Sequence, residues 1–149
     1  MLSQLGVFTE AEVVSRHHVR IERYVKNILI EVDTLRSVVD TQILPACYQY
    51  HTVLAAGVGA AKAAGAMAPQ ADTLTRVSTL IGALQSKRTG LEAAMRKAES
   101  GSEEEKAKTL ATEVSSAMSD VRSVCDELES IVADDQWPLP KYREMLFLS

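Results

Sequence analysis

The sequence predicts an all-α protein: an antiparallel bundle of three long helices, the first kinked at Pro45, followed by a short aromatic tail. Three observations predict it. Apolar residues recur at alternating spacings of four and three over long stretches, the signature of helices packed along one stripe. Two helix-start signals of the Ser/Thr-x-x-Glu type stand at Thr9 and Ser102. Aromatics make up only 5% of the 149 residues, with 7 Gly and 4 Pro, too few rings and turn-formers for a β-sandwich or barrel.

The first helix opens at Thr9-Glu10-Ala11-Glu12, where Thr9 caps the start and Glu12 returns the bond. Its stripe runs through Val14, His18, Ile21, Val25, Ile28, Val32, Leu35 and Val39 in strict steps of four and three. Pro45 interrupts the pattern, because its ring clashes with the carbonyl at position 41 and it has no amide hydrogen. No turn chemistry surrounds it in Thr41-Gln42-Ile43-Leu44-Pro45-Ala46, so a kink is expected and the helix runs on to about Ala56. The competing reading is a chain reversal there, which makes four helices. The stretch Ala55 to Pro69 is rich in Ala and Gly. It is expected to be a fraying helix end and a loop, since Gly57, Gly59 and Gly65 each cost helix stability; the other reading is a close helix contact. Pro69 is expected to open the next helix.

The second helix follows Leu74, Val77, Ile81, Leu84, Leu91, Met95 and Ala98, and ends at Ser100-Gly101. Ser102 with Glu105 caps the third, and Glu103, Glu104 and Glu105 suit the positive end of its dipole. Its stripe is Ala107, Leu110, Val114, Ala117, Val121, Val124, Leu128 and Ile131. It stops before Asp134-Asp135, because Trp137-Pro138-Leu139-Pro140 cannot continue a helix.

Composition excludes several functions. A net charge of −4 with both signs spread along the chain lacks the basic patch of a nucleic-acid module. No apolar run of 18 residues is present, so no membrane span is expected. Two cysteines, Cys47 and Cys125, make neither a disulfide framework nor a four-thiolate zinc site. The start Met1-Leu2-Ser3-Gln4-Leu5-Gly6 has no charged or apolar signal region. The expected compartment is reducing and aqueous, the cytoplasm or an organelle of a eukaryotic source.

Candidate chemistry is sparse. His17, His18 and Glu22 come nearest to a metal cluster, but the Glu-x-x-His that a bundle metal site repeats on facing helices is absent, and His51 lies far along the same helix. Cys47 and Cys125 have no neighbouring base in sequence and read as buried small hydrophobes. Arg88 falls on the apolar stripe of the second helix, where it binds an anion or snorkels past the core edge. Trp137 and Tyr142 stack a ligand or, more commonly, anchor a tail in a groove. No phosphate loop or Gly-x-Ser-x-Gly elbow is present.

Length arithmetic supplies the functional expectation. From Glu10 to Ala56 the first helix spans roughly 70 Å at 1.5 Å per residue, against roughly 45 Å for each of the others. Val14, His18, Ile21, Val25 and Ile28 are therefore expected to lack a partner within the chain and to form an interface.

Four phrases together resemble the C-terminal region of type III glutamine synthetases. They are Arg20-Ile21-Glu22-Arg23-Tyr24-Val25-Lys26-Asn27-Ile28-Leu29-Ile30-Glu31; Gln42-Ile43-Leu44-Pro45-Ala46 with Tyr50; Val121-Arg122 with Asp126-Glu127-Leu128-Glu129; and the ending Trp137-Pro138-Leu139-Pro140-Lys141-Tyr142-Arg143-Glu144-Met145-Leu146-Phe147. The resemblance runs from about Gly6 to Phe147 and implies an ATP-dependent glutamate–ammonia ligase of nitrogen assimilation, built as a ring-shaped oligomer with ATP and divalent metal in its catalytic part. That part precedes the region present here, so no catalytic, metal-binding or cofactor-binding residue carries over. The resemblance implies one helical domain over residues 1–149, non-catalytic by itself and holding no cofactor. Its role is structure and subunit assembly, and its partners are the catalytic domain of the same synthetase and neighbouring subunits of a homo-oligomer. The first-helix stripe and the tail residues Trp137, Leu139, Tyr142 and Phe147 are the expected contacts. The alternative is a free-standing helical interaction or adaptor protein that self-associates through the first-helix stripe.

Overall fold

The computed structural model describes residues 9–141 and 144, and among these it holds helices and no strand. Three rods account for nearly all of them. The first joins α1 (Glu10–Val38), a π turn (Val39–Ile43) and α2 (Leu44–Ala63). The second is α3 (Ala71–Glu99). The third joins α4 (Glu103–Thr109), a second π turn (Leu110–Val114) and α5 (Ser115–Glu129).

Both capping boxes form. The Thr9 hydroxyl accepts from the Glu12 amide and the Glu12 carboxylate accepts from the Thr9 amide; Ser102 and Glu105 repeat the arrangement.

The chain does not reverse at Pro45. Val38, Val39, Ile43 and Leu44 all keep right-handed helical dihedrals, so the four-helix reading is set aside. The missing Pro45 amide and the bulk of its ring are absorbed by the widened turn just before it, where the Leu44 amide reaches back five residues to the Val39 carbonyl. The second π turn has no proline beside it, and nothing in the structure explains its position.

The first rod continues to Ala63, beyond the expected end near Ala56. The Ala/Gly segment is helical because α2 packs on α3, with Leu54 against the core cluster and Val58 buried, which outweighs the propensity cost of Gly57 and Gly59. The rod stops at Gly65, whose φ of +67° turns the chain left-handed. The Ala66 amide bonds to the Ala61 carbonyl and the Gly65 amide to the Lys62 carbonyl, a Schellman closure. Pro69 lies in the following turn and does not open a helix; α3 begins at Ala71, with Gln70 as its cap.

The rods pack antiparallel, and one cluster fills the space between them. Val32, Val39, Cys47, Val77, Leu84, Leu91, Leu110, Val114, Val121 and Leu128 are its most buried side chains. The seam between first and second rods is closed by Arg36–Glu92 at 2.7 Å, by Arg88–Asp40, by Gln85 donating to the Tyr48 hydroxyl at 2.8 Å and by His51 with Ser78 at 2.9 Å. Lys87–Asp120 and Lys97–Glu113 close the seam between second and third. Among the described residues no ion pair or hydrogen bond joins 28–38 of the first rod to 115–122 of the third. Among the described residues no helix is long and apolar enough to cross a membrane.

Candidate interaction surface

Rod lengths create the surface. The first rod is about 80 Å long and the others about 40 Å each, at 1.5 Å per residue. Part of the excess falls at the start of α1, where residues 9–20 are all exposed. Val13, Val14 and Val19 are exposed, Val14 at 50%. Exposed branched side chains on this helical arm leave apolar surface open to solvent.

Of the residues expected to form the interface, Val14 and His18 lie open on this arm and Ile21 is half-buried. Val25 and Ile28 do not lack a partner: both pack against the chain's own core, and α1 as a whole is in contact with α4. The uncovered stretch is therefore shorter than the sequence implied. Trp137 is not offered outward either. It is 7% exposed and belongs to the core cluster, with Leu139 packed against it from the tail. The tail is pinned by Lys141, whose ammonium donates to the Val132 carbonyl at 2.8 Å and meets Asp134 at 2.7 Å. Tyr142 and Phe147 lie outside the described residues.

One feature of the surface escaped the stripe reading. An open groove of about 340 Å³ runs along the unlatched seam, lined by Ile30, Glu31, Thr34, Leu35, Val38, Met118 and Arg122. Ile30 is 65% exposed at its edge. Ile30 and Glu31 sit off the core stripe, so an apolar residue outside the four-three pattern is the signal that points to it.

Among the described residues no group of three His, Cys, Asp or Glu side chains converges to hold a metal. His17 and His18 only meet edge to face, with ring centroids 6.3 Å apart. His51 and Ser78 look like a base and nucleophile, but the Ser78 hydroxyl donates its proton to the Leu74 carbonyl at 2.8 Å. Arg88 is no open anion site, because Asp40 already occupies its guanidinium. Cys47 and Cys125 are buried and free. Burial pushes the Cys47 thiol up to about 11, and burial with Asp126 and Cys47 pushes Cys125 up to about 12, so neither is a thiolate nucleophile at neutral pH.

Comparison with known proteins gives consistent matches. The glutamine synthetase C-terminal domain model matches residues 1–62, which take in nearly all of the first rod. The type-3 glutamine synthetase of Dictyostelium discoideum is 31% identical over 156 aligned positions, covering 99% of this chain and 21% of that protein. A glutamine synthetase of Bacteroides fragilis (strain YCH46) is 28% identical, covering 95% of this chain and 20% of that protein. The chain spans about a fifth of the length of the curated relatives it matches.

Proposed function

The chain belongs to the glutamine synthetase C-terminal domain family, in its type-3 form, and on that premise we propose that it is the non-catalytic helical domain of such a synthetase, serving structure and subunit assembly. The observation that carries this reading is the unsupported arm at the start of α1, which leaves Val14, His18 and part of Ile21 uncovered. An arm of this kind is stable when another surface covers its apolar side chains. The catalytic domain of the same synthetase and neighbouring subunits are the partners proposed, with the whole of 1–149 as one domain.

By itself the chain then forms no glutamine and holds neither ATP nor metal, both of which belong to the catalytic part. The family's ligase chemistry, with glutamate, ammonia and ATP, is proposed for the larger enzyme, in the cytoplasm or an organelle. Val14→Asp and Ile21→Asp in the full synthetase are expected to lower its assembled mass while leaving the helicity of the domain intact. Unchanged oligomer mass for both variants overturns the assembly role. Glutamine formation by the 149-residue chain alone overturns the non-catalytic reading.

The alternative, a free-standing helical adaptor, is separated from the first reading by an immunoblot of source-cell lysate. A band several times heavier than 16.2 kDa supports the synthetase tail, whereas a band at 16.2 kDa alone supports the adaptor.

A further inference from the structure

Beside the core stripe, α1 carries a second stripe one position earlier: Val13, His17, Arg20, Tyr24, Asn27, Glu31, Thr34 and Val38. Its steps are four, three, four, three, four, three, four, so it reads the same in both directions about the Val25–Lys26 peptide. All its members are exposed except Val38, which is half-buried. Arg20 and Glu31 have no ion-pair partner among the described residues. The second half of the stripe lies in the unlatched groove, which Glu31, Thr34 and Val38 help to line. The first half is the unsupported arm.

A helix laid antiparallel on this stripe, centred at the same point, opposes each residue to one of fitting chemistry. Val13 meets Val38, His17 meets Thr34, Arg20 meets Glu31 and Tyr24 meets Asn27. Thr34 already donates its hydroxyl proton to the Ile30 carbonyl at 2.7 Å, which leaves its oxygen free to accept from a histidine ring N–H. Arg20 and Glu31 supply opposite charges that set register. Val13 falls into the groove between Val38 and Met118. The arm cannot reach this groove in its own chain, because α1 is one continuous helix.

We propose that the neighbour that covers the arm is a second copy of this chain, paired antiparallel along α1 about a two-fold axis at Val25–Lys26. This deepens the assembly reading and rests on it. The two-fold axis makes each contact occur twice and closes the pair, so that it does not grow into a filament. The overlap from Val13 to Val38 is about 38 Å of helix, with both arms and both grooves contributing. A contact of that length approaches the roughly 800 Å² per partner of a standard interface.

The test uses the 149-residue chain. Sedimentation over a concentration series is expected to show a particle of twice 16.2 kDa. Arg20→Glu and Glu31→Arg are each expected to weaken the dimer about tenfold, and the two together to restore it, which a general loss of structure cannot do. Under oxidised glutathione, Val13→Cys chains mixed with Val38→Cys chains are expected to cross-link, and Val13→Cys chains alone are not. A monomer up to about 1 mM, the range of very weak contacts, overturns the pairing, as does a dimer without charge-swap rescue or cross-linking. If the chain is monomeric but Val14→Asp still breaks up the full synthetase, the pairing fails and the assembly role stands. If the dimer and its rescue appear but the full synthetase keeps its mass with arm variants, the assembly role fails instead.

Discussion

Arg88 of α3 donates to Asp40 at 2.6 Å, and Asp40 sits within the π turn of the first rod. The pair thus ties α3 to the one place where the first rod departs from α-helical winding. Asp40 raises the Arg88 pKa, first through the hydrogen bond, so the guanidinium is charged throughout the accessible pH range.

Removing that latch tests its weight. Each partner remains about one-third exposed, so solvent screens the pair. Arg88→Met or Asp40→Ala is expected to cost about 1 kcal/mol, lowering Tm by about 2–4 °C for a chain of this size. A double-mutant cycle in urea checks the coupling, and additive costs would show that the two side chains act independently.

The tail makes its own prediction. Trp137 is the single tryptophan, so its fluorescence reports the docking of the tail. Its indole nitrogen is buried without a hydrogen-bond partner. Trp137→Phe therefore loses no bond and is expected to be far milder than Trp137→Ala, which opens a cavity costing about 3 kcal/mol or more. Lys141→Ala removes the contacts to Val132 and Asp134 and is expected to shift the emission to the red. Unshifted emission would mean that Trp137 holds the tail without the lysine.

Both thiols titrate late in the folded state, at about 11 for Cys47 and about 12 for Cys125. In the unfolded chain a thiol ionises near about 8.5. Because the folded values are raised, the stability that neutral burial contributes is complete below about 8.5 and is lost as pH rises through the folded values. Urea midpoints are expected to fall between about pH 9 and 11. A Cys47→Ala, Cys125→Ala chain is expected to show a smaller fall, and an equal fall would assign the loss to other groups. In the folded protein at neutral pH, alkylation is expected to be slow and to accelerate on unfolding.

The capping boxes carry the opposite sign. Glu12 is held below its ordinary value by the Thr9 amide and hydroxyl, and Glu105 likewise by Ser102. Their contribution is present above the unfolded carboxylate value and is lost as pH falls through the lowered one. In an NMR titration, Ser102→Ala is expected to raise the Glu105 midpoint toward its ordinary value while leaving Glu12 unchanged. An unmoved Glu105 would mean that the Ser102 amide, which alanine keeps, holds the carboxylate without the hydroxyl.

Local signals were the legible ones. Thr9 and Ser102 with their glutamates mark two helix starts within one turn, so the residues involved are neighbours in sequence as in space. The stripes from Val14 and from Ala107 identify the buried faces, and Val32, Leu84, Leu110 and Leu128 all lie on the stripes read from spacing. Less legible was the stretch from Ala55 to Ala63. Its glycines argue locally against helix, and the packing of Leu54 on the core with the burial of Val58 reverses that sum. The second π turn at Leu110–Val114 has no local mark at all, because the spacing through it remains a regular three and four.

For the candidate interface, sequence placed Val14 and His18 correctly on an exposed arm. It could not place Val25, Ile28 or Trp137, whose burial depends on where another rod begins or where a tail folds back. The amino-acid order by itself determined three helices, the capped starts of the first and third and the apolar faces, because each rests on backbone hydrogen bonding and side-chain periodicity within a few residues. Tertiary structure alone decided that the first rod absorbs Pro45 through a widened turn and where α4 begins beside it. It also decided that, among the described residues, no ion pair or hydrogen bond joins 28–38 of the first rod to 115–122 of the third. Each of these depends on which distant side chains arrive to be covered, and burial is a sum over neighbours that no local window contains.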